Sequence, residues 1–195
     1  ICVDALETLH DREFRSGLAE VIKHALLGAA DLFELLETKP EAVLSRDTDA
    51  LELCIARSLD IKGALVEEDF KEQNVRAHLN LGHTFGHALE AAAGFGEWSH
   101  GEAVAWGIDR ALWAGVAAEI TDKGYAERVS RLLKIYGYKI GSDAAGTPPE
   151  SILAAMGHDK KNRSGQIRFV LQRDFGETLV SPLDAEILRT AIGLF

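Results

Sequence analysis

The sequence is poor in the features that mark secreted, membrane-spanning and nucleic-acid-binding proteins. Its 195 residues include two cysteines, Cys2 and Cys54, too few for a secreted scaffold held together by disulfides. No apolar run reaches the roughly 18 residues that a membrane-spanning helix needs. Acidic residues outnumber basic ones by 31 to 21, giving a net charge of -10. Because a polyanion needs a basic surface, a broad nucleic-acid-binding face is excluded.

The start of the chain lacks an initiator Met and the basic and apolar blocks of a signal peptide. Its first residues, Ile-Cys-Val, are typical of the end of a buried strand, so we expect part of a longer, cytoplasmic enzyme. Hydrophobic residues make up 47% and charged residues 27%, a composition that supports a folded core. No repeat and no Pro/Gly/Ser-rich linker divides the chain, so we predict one domain over residues 1–195.

The spacing of apolar residues predicts a mainly α fold with a short β-hairpin near the C-terminus. A final helix is expected after Asp184, and Asp11 and either Asp47 or Thr48 are candidate N-caps. Glu67–Glu72 is predicted to be a loop, and Pro40 to mark a break. The first predicted helix follows Asp11, runs through Phe14 and Leu26 and ends at Gly28. The other predicted helices are about Asp31–Glu37, Ala50–Val66, Gly82–Ala93, Gly101–Ile120, Tyr125–Tyr136 and Pro149–Met156. The predicted hairpin strands are Gln166–Gln172 and Thr178–Val180.

A histidine cluster is the most informative feature of the sequence. His83 and His87 are four residues apart, so they share one face of a helix, and His100 begins the next predicted helix. Imidazole nitrogens suit Zn, Co, Ni and Fe, so a metal site is one interpretation, and a hydrogen-bonded surface pair is the other. Glycines 82, 86 and 101 weaken the helices, which indicates that backbone must approach something closely there.

Glu20 is the best carboxylate candidate, because apolar neighbours predict that this part of its helix is buried. A buried carboxylate needs a cation, which is either a metal or Lys23 three residues later. Basic residues near the histidines, together with an Asn side chain, predict a phosphate-sized anion site. Each of these basic residues is also consistent with a solvated surface charge. They are Lys62, which is predicted to end a helix, Arg76, Asn80, Lys160 and Lys161.

Several blocks of sequence occur in an order and spacing that resemble one enzyme family. The blocks are Gly17–Lys23, Glu72 with Arg76, Leu79–Glu90, His100–Val104, Asp159–Lys161 and Ile167–Leu171. Together they resemble the 3-dehydroquinate synthases, from about Asp4 to the end of the chain. The resemblance implies the helical C-terminal domain of the dehydroquinate synthase-like fold. It also implies that an N-terminal NAD-binding domain is absent here, in agreement with the lack of a GxGxxG motif.

The resemblance also implies roles for particular residues. The implied metal ligands are Glu20, His83 and His100, with Zn²⁺ or Co²⁺ as the metal. The implied catalytic residues are His87, Lys23 and Glu72. The implied substrate-binding residues are Lys62, Arg76, Asn80 and one of Lys160 and Lys161. Leu6 and Thr8 lie in a segment that closes over NAD in the family, although Glu7 stands where the family usually has Lys.

The implied activity is that of a carbon–oxygen lyase of the shikimate pathway. It converts 3-deoxy-D-arabino-heptulosonate 7-phosphate, a phosphorylated seven-carbon sugar acid, into 3-dehydroquinate and phosphate. NAD first oxidises a ring hydroxyl, phosphate is eliminated, the ketone is reduced again, and an intramolecular aldol closes the ring. The family also implies a homodimer. The chain by itself is expected to be inactive, because most of the NAD site lies on the absent domain.

Other functions remain open at the level of sequence. Related cyclases make inosose or valiolone skeletons from other sugar phosphates, and more distant polyol dehydrogenases share the fold plan without the phosphate-handling residues. A different class is a non-catalytic helical module that binds a metal or a partner chain. Asn80, which precedes the Gly-His block, is the position that favours dehydroquinate synthase among the cyclases.

Overall fold

A computed structural model of the chain describes residues 3–71, 74–94, 96–162 and 167–194, with residues 158–162 described as backbone. Within these ranges the chain forms helices joined by short connections, and one antiparallel hairpin. The helices are α1 (Asp11–Leu26), α2 (Ala30–Thr38), α3 (Pro40–Leu44), α4 (Thr48–Glu68), α5 (His83–Ala93), α6 (His100–Ala117), α7 (Lys123–Ile135), α8 (Pro149–Asn162) and α9 (Ala185–Ile192). The strands are β1 (Arg168–Gln172) and β2 (Thr178–Pro182), and short 3-10 turns span Val3–Leu6, Val75–Asn80 and Ser142–Ala145.

The predicted mainly α fold with a C-terminal hairpin is confirmed. Asp47 caps α4, because its side chain accepts a hydrogen bond from Ala50 N at 3.0 Å. In the hairpin, Val170 pairs with Val180. In the part of the chain that is described, no helix is both long enough and apolar enough to cross a membrane.

Several predicted boundaries were wrong. Helix α4 continues through Glu68, so the predicted loop begins later and Lys62 lies inside a helix rather than at its end. Helix α8 continues to Asn162 instead of stopping at Met156. The predicted break at Pro40 is confirmed: α2 ends at Thr38, and Pro40 begins a short helix, because its missing N–H costs nothing in the first turn. The N-cap of α1 is His10, and Asp11 occupies the first helical position.

Helix α6 lies at the centre of the described fold and packs against α1, α5, α7, α9 and β1. Its side chains Trp106, Ile108 and Leu112 are fully buried. The apolar stripe of α1, which includes Ile22 and Leu26, is buried against the same core. Because α6 contacts both α1 and α5, it fixes the position of α1 relative to the histidines of α5.

Glycines allow these helices to approach one another at backbone distance. A Cβ atom at Gly86 would lie 2.8 Å from the carbonyl oxygen of Ala103, and one at Gly107 would overlap the carbonyl oxygen of Gly82. A Cβ atom at Gly101 would overlap the backbone of Ser16. The close approach predicted from the helix glycines is therefore confirmed, and what approaches is the backbone of a neighbouring helix.

A buried polar network joins α6 to the C-terminal elements. The Asp109 carboxylate pairs with Arg110 and accepts hydrogen bonds from Ser130 Oγ at 2.6 Å and from Gly141 N at 3.0 Å. The Arg110 guanidinium also donates to the Ala191 carbonyl at 2.9 Å. These bonds tie the middle of α6 to α7, α9 and the loop at Gly141.

Candidate metal centre

Three histidines from two helices converge at one end of α5 and α6. His83 and His87 lie one turn apart on α5, and His100 is the first residue of α6. One nitrogen from each ring lies within 4.8 Å of the others. The His83 ring centroid is 5.3 Å from that of His87 and 5.3 Å from that of His100. The structure thus brings together residues that the sequence separates by up to 17 positions.

His83 presents a free ring nitrogen towards the centre of the site. Its Nδ1 lies 3.2 Å from the Leu81 carbonyl, which can only accept, so Nδ1 carries the proton and Nε2 keeps its lone pair. Burial, followed by the nearby Lys23 ammonium, lowers the pKa of His83 to about 4. The imidazole is therefore neutral at pH 7, as a metal ligand must be, and it has the carbonyl partner usual for metal-binding histidines.

Glu20, on α1, faces His83 with one carboxylate oxygen and Lys23 with the other. Oε2 accepts from Lys23 Nζ at 2.6 Å, whereas Oε1 lies 3.8 Å from His83 Nε2. Oε1 is buried and has no hydrogen-bond partner among the residues that the structure describes. Burial raises the pKa of Glu20, but Lys23, together with His83 and His24, outweighs burial and holds that pKa below its usual value. The carboxylate pairs with lysine and still offers one oxygen to a cation.

His87 and His100 are exposed to solvent, in contrast to His83. The ring of His100 is about half exposed, and its Nδ1 lies 3.5 Å from Glu90 Oε1. The centroids of these two rings are 5.8 Å apart. The site is therefore closed on the side of Glu20 and His83 and open on the side of the other two histidines.

The described residues fit a catalytic divalent metal. One carboxylate oxygen without a partner and imidazole nitrogens are the donors that Zn²⁺ and Co²⁺ accept. A carboxylate and two imidazoles leave coordination positions open, which is the arrangement of catalytic rather than structural sites. The fit rests on Glu20 Oε1, since a buried anionic oxygen without a donor is costly unless a cation approaches it.

Two cavities adjoin the histidines. The smaller, of about 240 Å³, contains four of the basic or amide residues singled out from the sequence. Its walls are Glu20, Lys23, His24, Lys62, Arg76, Leu79, Asn80 and His83. The larger, of about 620 Å³, lies between α5, α8 and the hairpin and is bounded by His83, His87, Thr84 and Asn80 among others. Because Asn80 and His83 border both cavities, a ligand of either cavity reaches the histidine cluster.

Arg76 is held in place by the turn that follows α4. Its guanidinium donates to the Phe70 carbonyl at 2.9 Å, and its backbone N–H donates to Asp69 Oδ2 at 3.2 Å. Asp69, which is buried, also accepts from Asn74 N at 2.6 Å. Three further residues were predicted to belong to the site. Glu72 and the side chains of Lys160 and Lys161 lie outside the part of the chain that is described.

The segment predicted to close over NAD precedes α1 and packs against α4. Thr8 Oγ1 donates to the Ala5 carbonyl at 3.2 Å, and Arg46 donates to the carbonyls of Leu6 at 3.0 Å and Glu7 at 2.7 Å. These contacts hold the segment through its backbone. The roles of Leu6 and Thr8 in binding NAD stay predictions.

Sequence reasoning missed two residues that line these cavities. His24, one turn beyond Glu20 on α1, is 7% exposed, and its Nδ1 is buried without a described partner. Burial, followed by Lys23, lowers the pKa of His24 to about 4. The four-residue spacing from Glu20 was a signal that would have found it. Arg168, on β1, lines the larger cavity. It lies in the Ile167–Leu171 block of the family resemblance, but its closeness to α5 depends on tertiary packing.

Comparison with known proteins identifies relatives over most of the chain. A family model of the 3-dehydroquinate synthase C-terminal region matches residues 17–162. A 3-dehydroquinate synthase of Saccharophagus degradans is 41% identical over 194 residues, which cover 99% of this chain and 53% of that protein. A 3-dehydroquinate synthase of Laribacter hongkongensis is 46% identical over 178 residues, which cover 89% of this chain and 48% of that protein. The chain thus spans about half the length of the curated relatives it matches.

Solved structures with the same fold come from sugar-phosphate cyclases. A 2-epi-5-epi-valiolone synthase from Streptomyces hygroscopicus, solved with NAD+ and Zn²⁺ bound, is 24% identical with a TM-score of 0.84. A 2-deoxy-scyllo-inosose synthase complexed with carbaglucose-6-phosphate, NAD+ and Co²⁺ is 21% identical with a TM-score of 0.75. Each match covers 97% of this chain and 53% of the solved one. These similarities establish the fold.

Proposed function

Because the chain belongs to the 3-dehydroquinate synthase C-terminal family, we propose that it is the metal- and substrate-binding half of a 3-dehydroquinate synthase. The proposed reaction converts 3-deoxy-D-arabino-heptulosonate 7-phosphate into 3-dehydroquinate and phosphate. One observation carries the proposal: nitrogens of three histidines lie within 4.8 Å of one another beside two cavities, and the unpartnered Glu20 Oε1 lies 3.8 Å from the nearest of them, His83 Nε2.

Glu20, His83 and His100 would hold the metal, as the resemblance implies. A bound divalent cation supplies polarisation of a substrate hydroxyl and stabilisation of its alkoxide. His87 borders the larger cavity one turn from His83, where its imidazole would exchange a proton with a substrate hydroxyl. Lys23 would keep the Glu20 carboxylate ionised through their 2.6 Å contact. These assignments give each residue of the cluster a separate role.

The smaller cavity would hold the phosphate of the substrate. Lys62, Arg76 and Asn80 border it, and guanidinium, ammonium and amide groups together donate the hydrogen bonds that a phosphate dianion accepts. One of Lys160 and Lys161 would add a further contact, and Glu72 would orient Arg76 or Lys62. The nearness of this cavity to the histidines supports a substrate that spans both.

The complete enzyme would need an N-terminal domain. The relatives are about twice as long as this chain, and the solved cyclases hold NAD+. NAD supplies reversible hydride transfer when it is bound. We propose that residues 1–195 form a single domain, that most of the NAD site lies on an N-terminal partner domain, and that the segment of Leu6 and Thr8 closes over it. A homodimer would be the working form, as in the family.

The identities support dehydroquinate synthase over the other cyclases. The two curated dehydroquinate synthases are 41% and 46% identical to the chain, whereas the solved valiolone and inosose cyclases are 24% and 21% identical. Asn80, in the Leu-Asn-Leu segment before the Gly-His block, also supports dehydroquinate synthase over the valiolone and inosose cyclases.

Replacing a proposed ligand tests the metal site directly. Purified chain should bind one Zn²⁺ or Co²⁺, measured by elemental analysis after dialysis, and His83→Ala should bind none, because it removes a neutral imidazole from the centre of the cluster. His10→Ala, which removes an exposed histidine at the N-cap of α1, should keep the metal. Stoichiometric metal in His83→Ala would refute the ligand assignment.

Turnover tests the reaction itself. With NAD and the heptulosonate phosphate, the chain alone should release no phosphate, whereas the chain joined to the N-terminal half of a relative should release it and form 3-dehydroquinate. Release of phosphate from an inosose-forming or valiolone-forming substrate instead would assign the chain to one of the other cyclases.

A further inference from the structure

The backbone on the C-terminal side of His100 is attached directly to α1. Gly101 N donates to Ser16 Oγ at 3.0 Å, and the two backbones meet so closely at this point that a Cβ atom at Gly101 would overlap Ser16. Ser16 precedes Glu20 by one helical turn on the same face of α1. The distance between the helix that carries Glu20 and the residue after His100 is therefore fixed by a hydrogen bond and by steric contact.

The backbone on the N-terminal side of His100 is attached to α1 through a second path. Ser99 N donates to Glu102 Oε2 at 2.8 Å, within the capping box that begins α6. The same oxygen accepts from Arg12 Nε at 3.1 Å and from Arg12 Nη2 at 2.9 Å. Arg12 thus holds the start of α6 by a two-nitrogen contact, which specifies direction as well as distance.

Arg12 also fixes the turn that leads into α6. Its Nη2 donates to the Glu97 carbonyl at 2.8 Å, and its Nη1 to the Gly96 carbonyl at 3.4 Å. Arg12, Ser16 and Glu20 recur every four residues, so they form one stripe of α1 that faces the start of α6. Two members of the stripe hold the residues around His100, and the third faces His83.

We propose that Arg12 and Ser16 are positioning residues that set the separation between Glu20 and His100 and thereby the geometry of the metal site. The inference rests on the proposed metal role of those two residues. The Arg12 side chain is 50% exposed, and an exposed ion pair contributes little to folding because water screens it. A metal site, in contrast, requires its ligands to be held within about 0.5 Å of their working positions.

The test measures metal binding by Arg12→Ala and Ser16→Ala. Chelator competition gives the dissociation constants for Zn²⁺ and Co²⁺, and the visible spectrum of bound Co²⁺ reports the ligand geometry. We expect binding weakened by roughly 10- to 100-fold, the range seen when groups behind metal ligands are removed. The Co²⁺ spectrum should change in both variants, while the thermal midpoint of metal-free Arg12→Ala stays near that of the parent chain. Metal-free Ser16→Ala should melt lower, because the buried N–H of Gly101 loses its acceptor.

Arg57→Ala is the matched control. Arg57 is similarly exposed and pairs with Asp31 at 2.6 Å and with Asp60 at 3.1 Å, and neither of these lines the two cavities. Its removal changes the net charge by the same amount as Arg12→Ala. Loss of a positive charge by itself favours cation binding. If Arg12→Ala binds metal more weakly and Arg57→Ala does not, the loss of affinity therefore comes from positioning and not from the change in charge.

The outcomes distinguish this inference from the proposed function. If the parent chain binds metal and both variants match Arg57→Ala in affinity and spectrum, the positioning role is refuted and the metal site stands. If the parent chain binds no metal, the proposed function fails and the inference fails with it. Should Arg12→Ala not fold, Arg12→Lys gives the same comparison, because lysine keeps the charge but lacks the two-nitrogen contact.

Discussion

The two carboxylate oxygens of Glu20 have different partners: one pairs with Lys23, and the other is available to the proposed metal. Oε2 pairs with Lys23, which is only 3% exposed and would be a costly unpaired charge without it. Oε1 remains unpartnered beside His83 among the described residues. The sequence left open whether lysine or a metal is the partner of Glu20. In the structure Glu20 pairs with Lys23 through one oxygen, and its other oxygen could bind a metal at the same time.

Cys54 provides a prediction that concerns one side chain. The thiol is 1% exposed, and burial raises its pKa to about 11. Because the thiolate is the reactive form, the folded chain at pH 8 should label at Cys54 much more slowly than the unfolded chain. Alkylation followed by peptide mapping measures this and separates Cys54 from Cys2. Labelling of Cys54 at equal rates in folded and unfolded chain would contradict the buried placement.

At the scale of elements, close packing of α5 against α6 depends on glycine. A Cβ atom at Gly107 would overlap the Gly82 carbonyl oxygen and lie 2.8 Å from Gly86 N, and neither backbone atom can move without moving its helix. Gly107→Ala should therefore destabilise the chain by about 1–3 kcal/mol or more, as overpacking does. Urea unfolding followed by circular dichroism measures the change.

Gly63→Ala is the matched control for that substitution. Gly63 lies inside α4, and a Cβ atom there would have nothing within 4 Å. Alanine should stabilise the chain by up to about 1 kcal/mol, because it favours the helix more than glycine does. If Gly107→Ala raised the free energy of unfolding as Gly63→Ala does, the higher helix propensity of alanine would explain both results, and the predicted steric overlap at Gly107 would be refuted.

Across the whole molecule, the proposed metal joins α1 to two helices, α5 and α6, that lie far from it in sequence. Its ligands come from α1, α5 and α6, so metal binding should favour the folded chain over the unfolded one. Free Zn²⁺ at a hundred times its dissociation constant should stabilise the fold by about 2.7 kcal/mol. Thermal unfolding with Zn²⁺, and again after chelation, measures this difference.

His83→Ala is the control for the effect of metal on stability. Without that imidazole, the thermal midpoint should be the same with Zn²⁺ and with chelator. A midpoint that still rises with Zn²⁺ would indicate binding elsewhere on the chain, for example at its exposed acidic side chains.

The outline of the fold was predictable because it follows from local patterns. Apolar periodicity identified the long helices, the pair Asp47 and Thr48 narrowed the start of α4 to two candidates, and the two predicted strands identified the hairpin. Boundaries were less predictable. The extensions of α4 past Val66 and of α8 past Met156 run through charged residues, whose sequence pattern favours helix and loop about equally.

The sequence by itself determined which side chains are available for chemistry, since four-residue spacing places His83 and His87 on one face of a helix. Only the tertiary structure decided which of them meet. Glu20 reaches His83 because α1 packs on α6, and His100 is held there by Arg12 and Ser16. Contacts between distant segments depend on how the helices pack and on glycines that allow backbones to touch. Neither of these produces a regular spacing of residues in the sequence, so the pairing of distant residues could not be predicted from it.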